Sequence, residues 1–145
     1  MRARLAGDRG ETLLELVVAL AILGIAVVAV IGGLSAAVML SDVHRKQAAA
    51  GVAVRDYAEA VQTAVATGHY TACAAPPVTF TPPAGYSSSV VAVRFWSGTA
   101  WLAACSADTG LQRLTLQVAS LDGRAAERLD VVLRKPCGLT DALCS

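Results

Sequence analysis

Gly10-Glu11-Thr12-Leu13-Leu14-Glu15-Leu16 leads into residues 16–40, a run without a single Asp, Glu, Lys, Arg, His, Asn, Gln or Pro. An uncharged apolar run beyond about 18 residues is the mark of a membrane-spanning helix. As a helix this one would be about 38 Å long at about 1.5 Å per residue, enough to cross a hydrocarbon core of about 30 Å with some tilt. The feature a plain anchor does not explain is Glu15, a carboxylate at the mouth of the run. An acid there carries a cost of up to about 3 kcal/mol at mid-membrane and less near the interface. Keeping it suggests a partner charge, and the nearest cation on offer is an amino group made by cutting the chain just upstream.

At these residues the sequence resembles the type IV filament family: type IV pilins, minor pilins and the pseudopilins of type II secretion. The family pattern is a short basic leader ending in Gly, then an apolar residue, Thr, two apolar residues, Glu and a long apolar helix. Here the leader is residues 1–10, with Arg2, Arg4 and Arg9, and Thr12, Leu13, Leu14, Glu15 and Leu16 fill the later places. The resemblance implies a cut by a prepilin peptidase between Gly10 and Glu11. One place departs: the first mature residue, usually Phe or Met and the carrier of the N-methyl group, is Glu11.

The resemblance further implies that Glu11 and Glu15 act in assembly, the amine of one subunit meeting the carboxylate of the next. Gly24, Gly32 and Gly33 fall where related filament helices are locally unwound. Gly inside a helix costs about 1 kcal/mol relative to Ala, so melting there is cheap; ordinary close packing between membrane helices is the competing reading. The implied partners are the membrane, other subunits through the N-terminal helix, the peptidase, and an assembly ATPase with its platform.

Two simpler readings of the N-terminus compete. A cleaved secretory signal has an apolar part of about 7–15 residues ending at a small-residue site. This run is longer, and Glu11 and Glu15 interrupt its junction. A plain signal anchor accounts for the length but not for Glu15.

The chain of 145 residues has room for one membrane segment and one small domain. Loss of residues 1–10 removes Arg2, Arg4, Arg9 and Asp8, which leaves nine basic and ten acidic residues and a net charge near minus one. That balance is no footprint for nucleic acid, and none is expected as a partner. All four cysteines, Cys73, Cys105, Cys137 and Cys144, follow the apolar run. An even count confined to that side reads as two disulfides formed in an oxidising exterior. The pairing favoured is Cys73 with Cys105, stapling a loop to the second strand, and Cys137 with Cys144, closing the tail; the other two pairings stay open.

Beyond residue 40 the helix is expected to continue to residue 68. Val54, Tyr57, Ala58, Val61, Ala64 and Val65 recur at helical spacing, and Thr67-Gly68 supplies a stop. Pro76, Pro77, Pro82 and Pro83 then make residues 69–89 a long loop. From Val90 the period is two: Val91, Val93 and Phe95; then a second strand over 99–105; then Leu114, Leu116 and Val118; and, after Asp122-Gly123, Leu129, Val131 and Leu133. The expected fold class is α+β, a long N-terminal helix with a membrane-spanning first half, packed on a small antiparallel four-stranded meander as in pilins. The expected divisions are leader 1–10, apolar helix 11–40, amphipathic helix 41–68, and a head of loop, sheet and closed tail over 69–145.

Enzymatic chemistry is not expected. Asp108-Thr109-Gly110 matches the aspartic-protease triplet but stands alone, without the apolar lead-in or a second copy. His44 and His69 lack neighbours at ligand spacing, and no Cys-x-x-Cys pair exists, so neither metal nor cofactor is expected. Arg113, Arg124, Arg128, Arg134 and Lys135 read as a solvated edge that discourages sheet pairing, and Trp96 and Trp101 as core or subunit contacts. The function expected is a structural subunit, a minor pilin or pseudopilin, at the cell membrane and in a surface filament. The alternative is a membrane-anchored extracytoplasmic binding module, for DNA or a surface ligand, that does not polymerise.

Overall fold

The computed structural model describes residues 11–137, with side chains from Leu13 onward. The chain forms two units, Met1–Asp42 and Val43–Ser145. Helix α1 spans Glu11–Ala66 and contributes its first part to one unit and its second part to the other. Strands β1 (Tyr86–Trp96), β2 (Trp101–Leu102), β3 (Leu111–Ser120) and β4 (Ala126–Arg134) follow.

In the second unit the core lies between α1 and one face of the sheet. Ala50, Ala53, Val54, Tyr57, Ala58, Val61 and Val65 are buried, the three-and-four spacing that makes one apolar stripe. Ala64 of the expected stripe is only partly buried. Against the stripe pack Leu114, Leu116 and Val118 of β3, all fully buried, with Val131 and Leu133 of β4. Three alanines on the helix side leave only methyl groups between backbone and sheet, so the larger sheet side chains fill the layer.

α1 stops where Thr67-Gly68 predicts. Gly68 takes a left-handed φ of +95°, its N–H donates to the Val65 carbonyl, and the His69 N–H reaches back to the Ala64 carbonyl at 2.9 Å. This pair of bonds is a Schellman cap.

The sheet is antiparallel and four-stranded as expected, but its order is β2-β1-β3-β4, so the expected meander is corrected at one step. A tight turn, with the Ser97 N–H donating to the Ala100 carbonyl at 3.0 Å, brings β2 back along one edge of β1. There β2 ends after two residues instead of running to Cys105. Cys105 is bonded to Cys73, which draws the chain off the sheet, and β3 then pairs on the opposite edge of β1. That placement seats Leu114, Leu116 and Val118 on an inner strand, in the core with the helix stripe.

A second correction concerns face assignment in β1. The register with β3 shifts between Val90 and Ala92, so Val90 and Val93 face the core while Val91 is exposed. An extra residue in one strand re-aims every side chain beyond it. Beyond the shift ordinary alternation holds, so Phe95 lies with Val93 on the core face, opposite buried Gln112, and Trp96 on the outer one.

The loop between α1 and β1 is pinned along its length. Phe80 stacks on Tyr57 with centroids 4.8 Å apart, and the Tyr70 hydroxyl donates to Asp108 at 2.8 Å. Burial and that carboxylate push the Tyr70 phenol well above its ordinary range. The disulfide Cys73–Cys105 is the favoured one, although Cys105 lies in the loop after β2 and not on a strand. Cys137 is disulfide-bonded as well; its expected partner Cys144 lies outside the described residues.

Gln112 is fully buried. Its Nε2 makes one long bond of 3.4 Å to the Thr71 carbonyl, and its Oε1 has no partner. A buried unsatisfied acceptor costs about 1–3 kcal/mol, whereas an apolar group of similar shape can be neutral or stabilising. Gln112→Met is therefore expected to raise the stability of the head by about 1 kcal/mol, read from the denaturant midpoint; a lower midpoint would show that the Thr71 bond outweighs the orphaned oxygen.

Candidate functional site

α1 begins at Glu11, the residue that follows the Gly of the leader. Gly10 and the rest of the leader lie outside the described residues. Glu15 stands four positions, about one turn, beyond Glu11, which places the two positions on one helix face. Leu14, Val18, Ala19 and Ile22 line a shallow groove with Glu15. The carboxylate is thus set among methyl groups near the positive end of the helix dipole, which favours an anion and disfavours a bare ammonium.

From Leu13 to Leu40 the large apolar side chains are exposed, from Val18 at 48% to Ile25 and Val28 at 72%. The most apolar window of α1 has a mean hydropathy of 2.9 and none of it is buried. This is more uncovered apolar surface than a water-soluble face tolerates. In residues 16–40 the single polar side chain is Ser35, and its hydroxyl donates to the Ile31 carbonyl at 3.0 Å. The run therefore presents no unsatisfied side-chain donor to an apolar medium.

Gly24, Gly32 and Gly33 lie within continuous α1, and nothing occupies the space a Cβ would take at any of them. In this single chain the helix is intact at all three. Both expectations for them, melting and close helix packing, concern contacts with other helices.

In the head, the residues considered for chemistry have structural partners. Asp108 accepts from the Tyr70 hydroxyl and from the Gly110 N–H at 3.1 Å, and Thr109 donates to the Trp96 carbonyl at 2.6 Å. His69 lies 3.3 Å from the Thr67 hydroxyl. Among the described residues no three His, Cys, Asp or Glu side chains converge as a metal site would require.

Two features had no sequence signal strong enough to find them. Lys46 on α1 pairs with Asp122 in the β3–β4 turn, and this cation with the Ser120 hydroxyl and the Arg124 N–H holds the Asp122 carboxyl well below the usual carboxylate range. Tyr86 closes the same end by donating to the Lys46 carbonyl at 3.3 Å. The second feature is on the outer sheet face. Trp96 and Trp101 face each other across β1 and β2 with centroids 5.3 Å apart, and the Arg113 guanidinium lies 5.2 Å over Trp101. Both indoles are half-buried and outside the core, which removes the core alternative from the expectation of core or subunit contacts.

The expected basic edge is corrected in part. Arg128 and Arg134 do stand on edge strand β4, but Arg113 is on the inner strand β3.

Residues 5–31 match the protein family described as the prokaryotic N-terminal methylation motif, which takes in the end of the leader, Glu11, Thr12, Glu15 and the first half of the apolar run. No curated protein and no solved structure matches the chain. The matched motif is characteristic of type IV pilins and pseudopilins, and supports a precursor cleaved by prepilin peptidase and held at a membrane. With that motif at the head of a long apolar helix, and the helix packed further on against a four-stranded antiparallel sheet, the chain carries the N-terminal signature characteristic of type IV pilins and pseudopilins on an α+β fold.

Proposed function

We propose that the chain is the precursor of a filament subunit, a minor pilin or a secretion pseudopilin. A prepilin peptidase cuts between Gly10 and Glu11, and an ATPase-driven platform draws the mature subunit from the membrane into a bundle of apolar helices at the cell surface. The observation that carries this reading is Glu15, the one charged residue between Leu13 and Leu40, placed one turn from Glu11 in an apolar groove. The cut frees an amine at Glu11, and Glu15 of the adjoining copy neutralises it. Desolvation offsets much of the attraction in such a buried pair. Its main effect is register, because a copy docked out of step leaves a charge unpaired among apolar side chains, at a cost of several kcal/mol.

The test is the mass of the mature protein isolated from its native membrane, with and without reduction. The expected mass lacks residues 1–10, and reduction adds the hydrogens of two disulfides. An intact Met1, or a cut beyond the apolar run, would replace the filament reading with that of an anchored module that does not polymerise.

A further inference from the structure

The outer face of the sheet, the one turned away from α1, gathers positive charge that the chain as a whole lacks. Strand register puts Arg94, Arg113, Arg128 and Arg134 on it, against the single carboxylate of Asp130. Asp130 accepts from the Thr115 hydroxyl at 2.6 Å, and Arg128 donates to the Gln117 side chain at 2.7 Å. Arg94 and Arg113 are direct cross-strand partners, a like-charge juxtaposition that opposes sheet formation. Arg134 stands diagonally beside Arg113, since Arg113 pairs with Val132. Among the described residues none of these three guanidiniums has a carboxylate partner. Next to them is the half-buried Trp96–Trp101 pair.

Three clustered guanidiniums beside an indole pair form a site for an anion attached to an apolar ring face. We propose that this end of the sheet binds an acidic polysaccharide, a uronate unit lying with its carboxylate on Arg94 and Arg113 and the apolar face of its sugar ring on Trp96. Arginine forks suit a carboxylate in bidentate geometry, and Trp and Arg are the side chains that most often carry binding energy at such patches.

The arrangement suits a spaced anion better than a continuous one. Asp130 sits on the same face between Arg128 and the cluster, so a phosphate backbone laid along β4 would meet a carboxylate midway. The two indoles are tilted by 57° and one already carries Arg113, which leaves no pair of parallel platforms for successive bases. The site lies wholly within the second unit, so it stands whether or not the chain polymerises.

The experiment is titration calorimetry on the whole chain in detergent micelles. The probes are an oligogalacturonate, a neutral dextran oligosaccharide of the same length, and a single-stranded oligothymidylate of the same charge. Oligogalacturonate is expected to bind and dextran not to. Arg94→Thr and Trp96→Ala are each expected to weaken binding by about tenfold or more. Arg128→Ala, an equal charge change away from the cluster, is expected to leave it within about twofold. Because Arg94 faces Arg113, Arg94→Thr is also expected to melt no lower than the parent, a result that separates lost binding from lost folding. The proposal is overturned by an absence of oligogalacturonate binding, by oligothymidylate binding as tightly, by equal losses in the Arg128 and Arg94 variants, or by a lower melting temperature for Arg94→Thr.

Discussion

Glu15→Val is expected to be cut after Gly10 as efficiently as the parent and to reach sheared surface fractions at no more than about one tenth of the parent level. The substitution adds apolar surface to a helix that is already apolar, so membrane insertion is not impaired. On the proposed filament reading it removes the group that would neutralise the amine of the adjoining copy, and an orphaned charge inside an apolar bundle costs about 3–5 kcal/mol. Each 1.4 kcal/mol is a factor of about ten in an equilibrium, so a tenfold drop is a lower bound. Glu15→Asp keeps the charge on a shorter arm and is expected to fall between the two. Parent-level incorporation of the Val variant, quantified by blotting sheared and cell-bound fractions, would remove the register role from Glu15. Loss of cleavage in that variant would place Glu15 in peptidase recognition instead.

The second large effect is expected in the head. Cys73→Ser with Cys105→Ser opens a closed loop whose ends are 32 residues apart, and chain entropy assigns such a crosslink about 3–4 kcal/mol. Substitution is preferable to reduction, which would also open the bond at Cys137. Cys73 holds a left-handed φ of 58°, a conformation that costs a non-glycine residue about 1–2 kcal/mol and that the crosslink helps to maintain. The head should melt roughly 15 °C or more below the parent in a scan of the whole chain in micelles. A shift of only a few degrees would mean that Phe80 on Tyr57 and Tyr70 on Asp108 fix the loop by themselves.

Both predictions concern residues that the chain displays before folding, but for different reasons. Glu15 is legible because its surroundings are defined by neighbours in sequence: a lone carboxylate beside an uncharged run is anomalous wherever the run ends up. The helix stop at Gly68 is legible for a similar reason, since a left-handed cap depends only on the last turn. The stripe from Val54 to Val65 follows from helical spacing alone.

The face of a strand residue is different, because a single extra residue inverts everything after it. Alternation from Val91 onward places Val91, Val93 and Phe95 together, yet the shift between Val90 and Ala92 leaves Val91 in solvent while Val93 and Phe95 keep the core face. Sequence period cannot register that slip, because what selects it is the match of Val90 and Val93 to the stripe on α1. The same holds for Gln112, whose polar side chain suggests exposure and whose place opposite Leu133 buries it.

Strand order was likewise beyond local reading. Four strands joined by short turns suggest a meander, whereas β2 and β3 lie on opposite edges of β1, with the chain between them held by the crosslink from Cys105 to Cys73.

What the sequence alone determined is therefore the membrane-competent helix, its lone carboxylate, its stop and the α+β class, all properties set by residues within a few turns of one another. What only the tertiary structure decided is which distant side chains meet: Arg94 beside Arg113 and Arg113 over Trp101 on the outer face, and Lys46 of the helix on Asp122 across 76 residues of chain. Those meetings arise from packing a sheet against a helix so that its largest apolar side chains are covered, and distance along the chain carries no record of them.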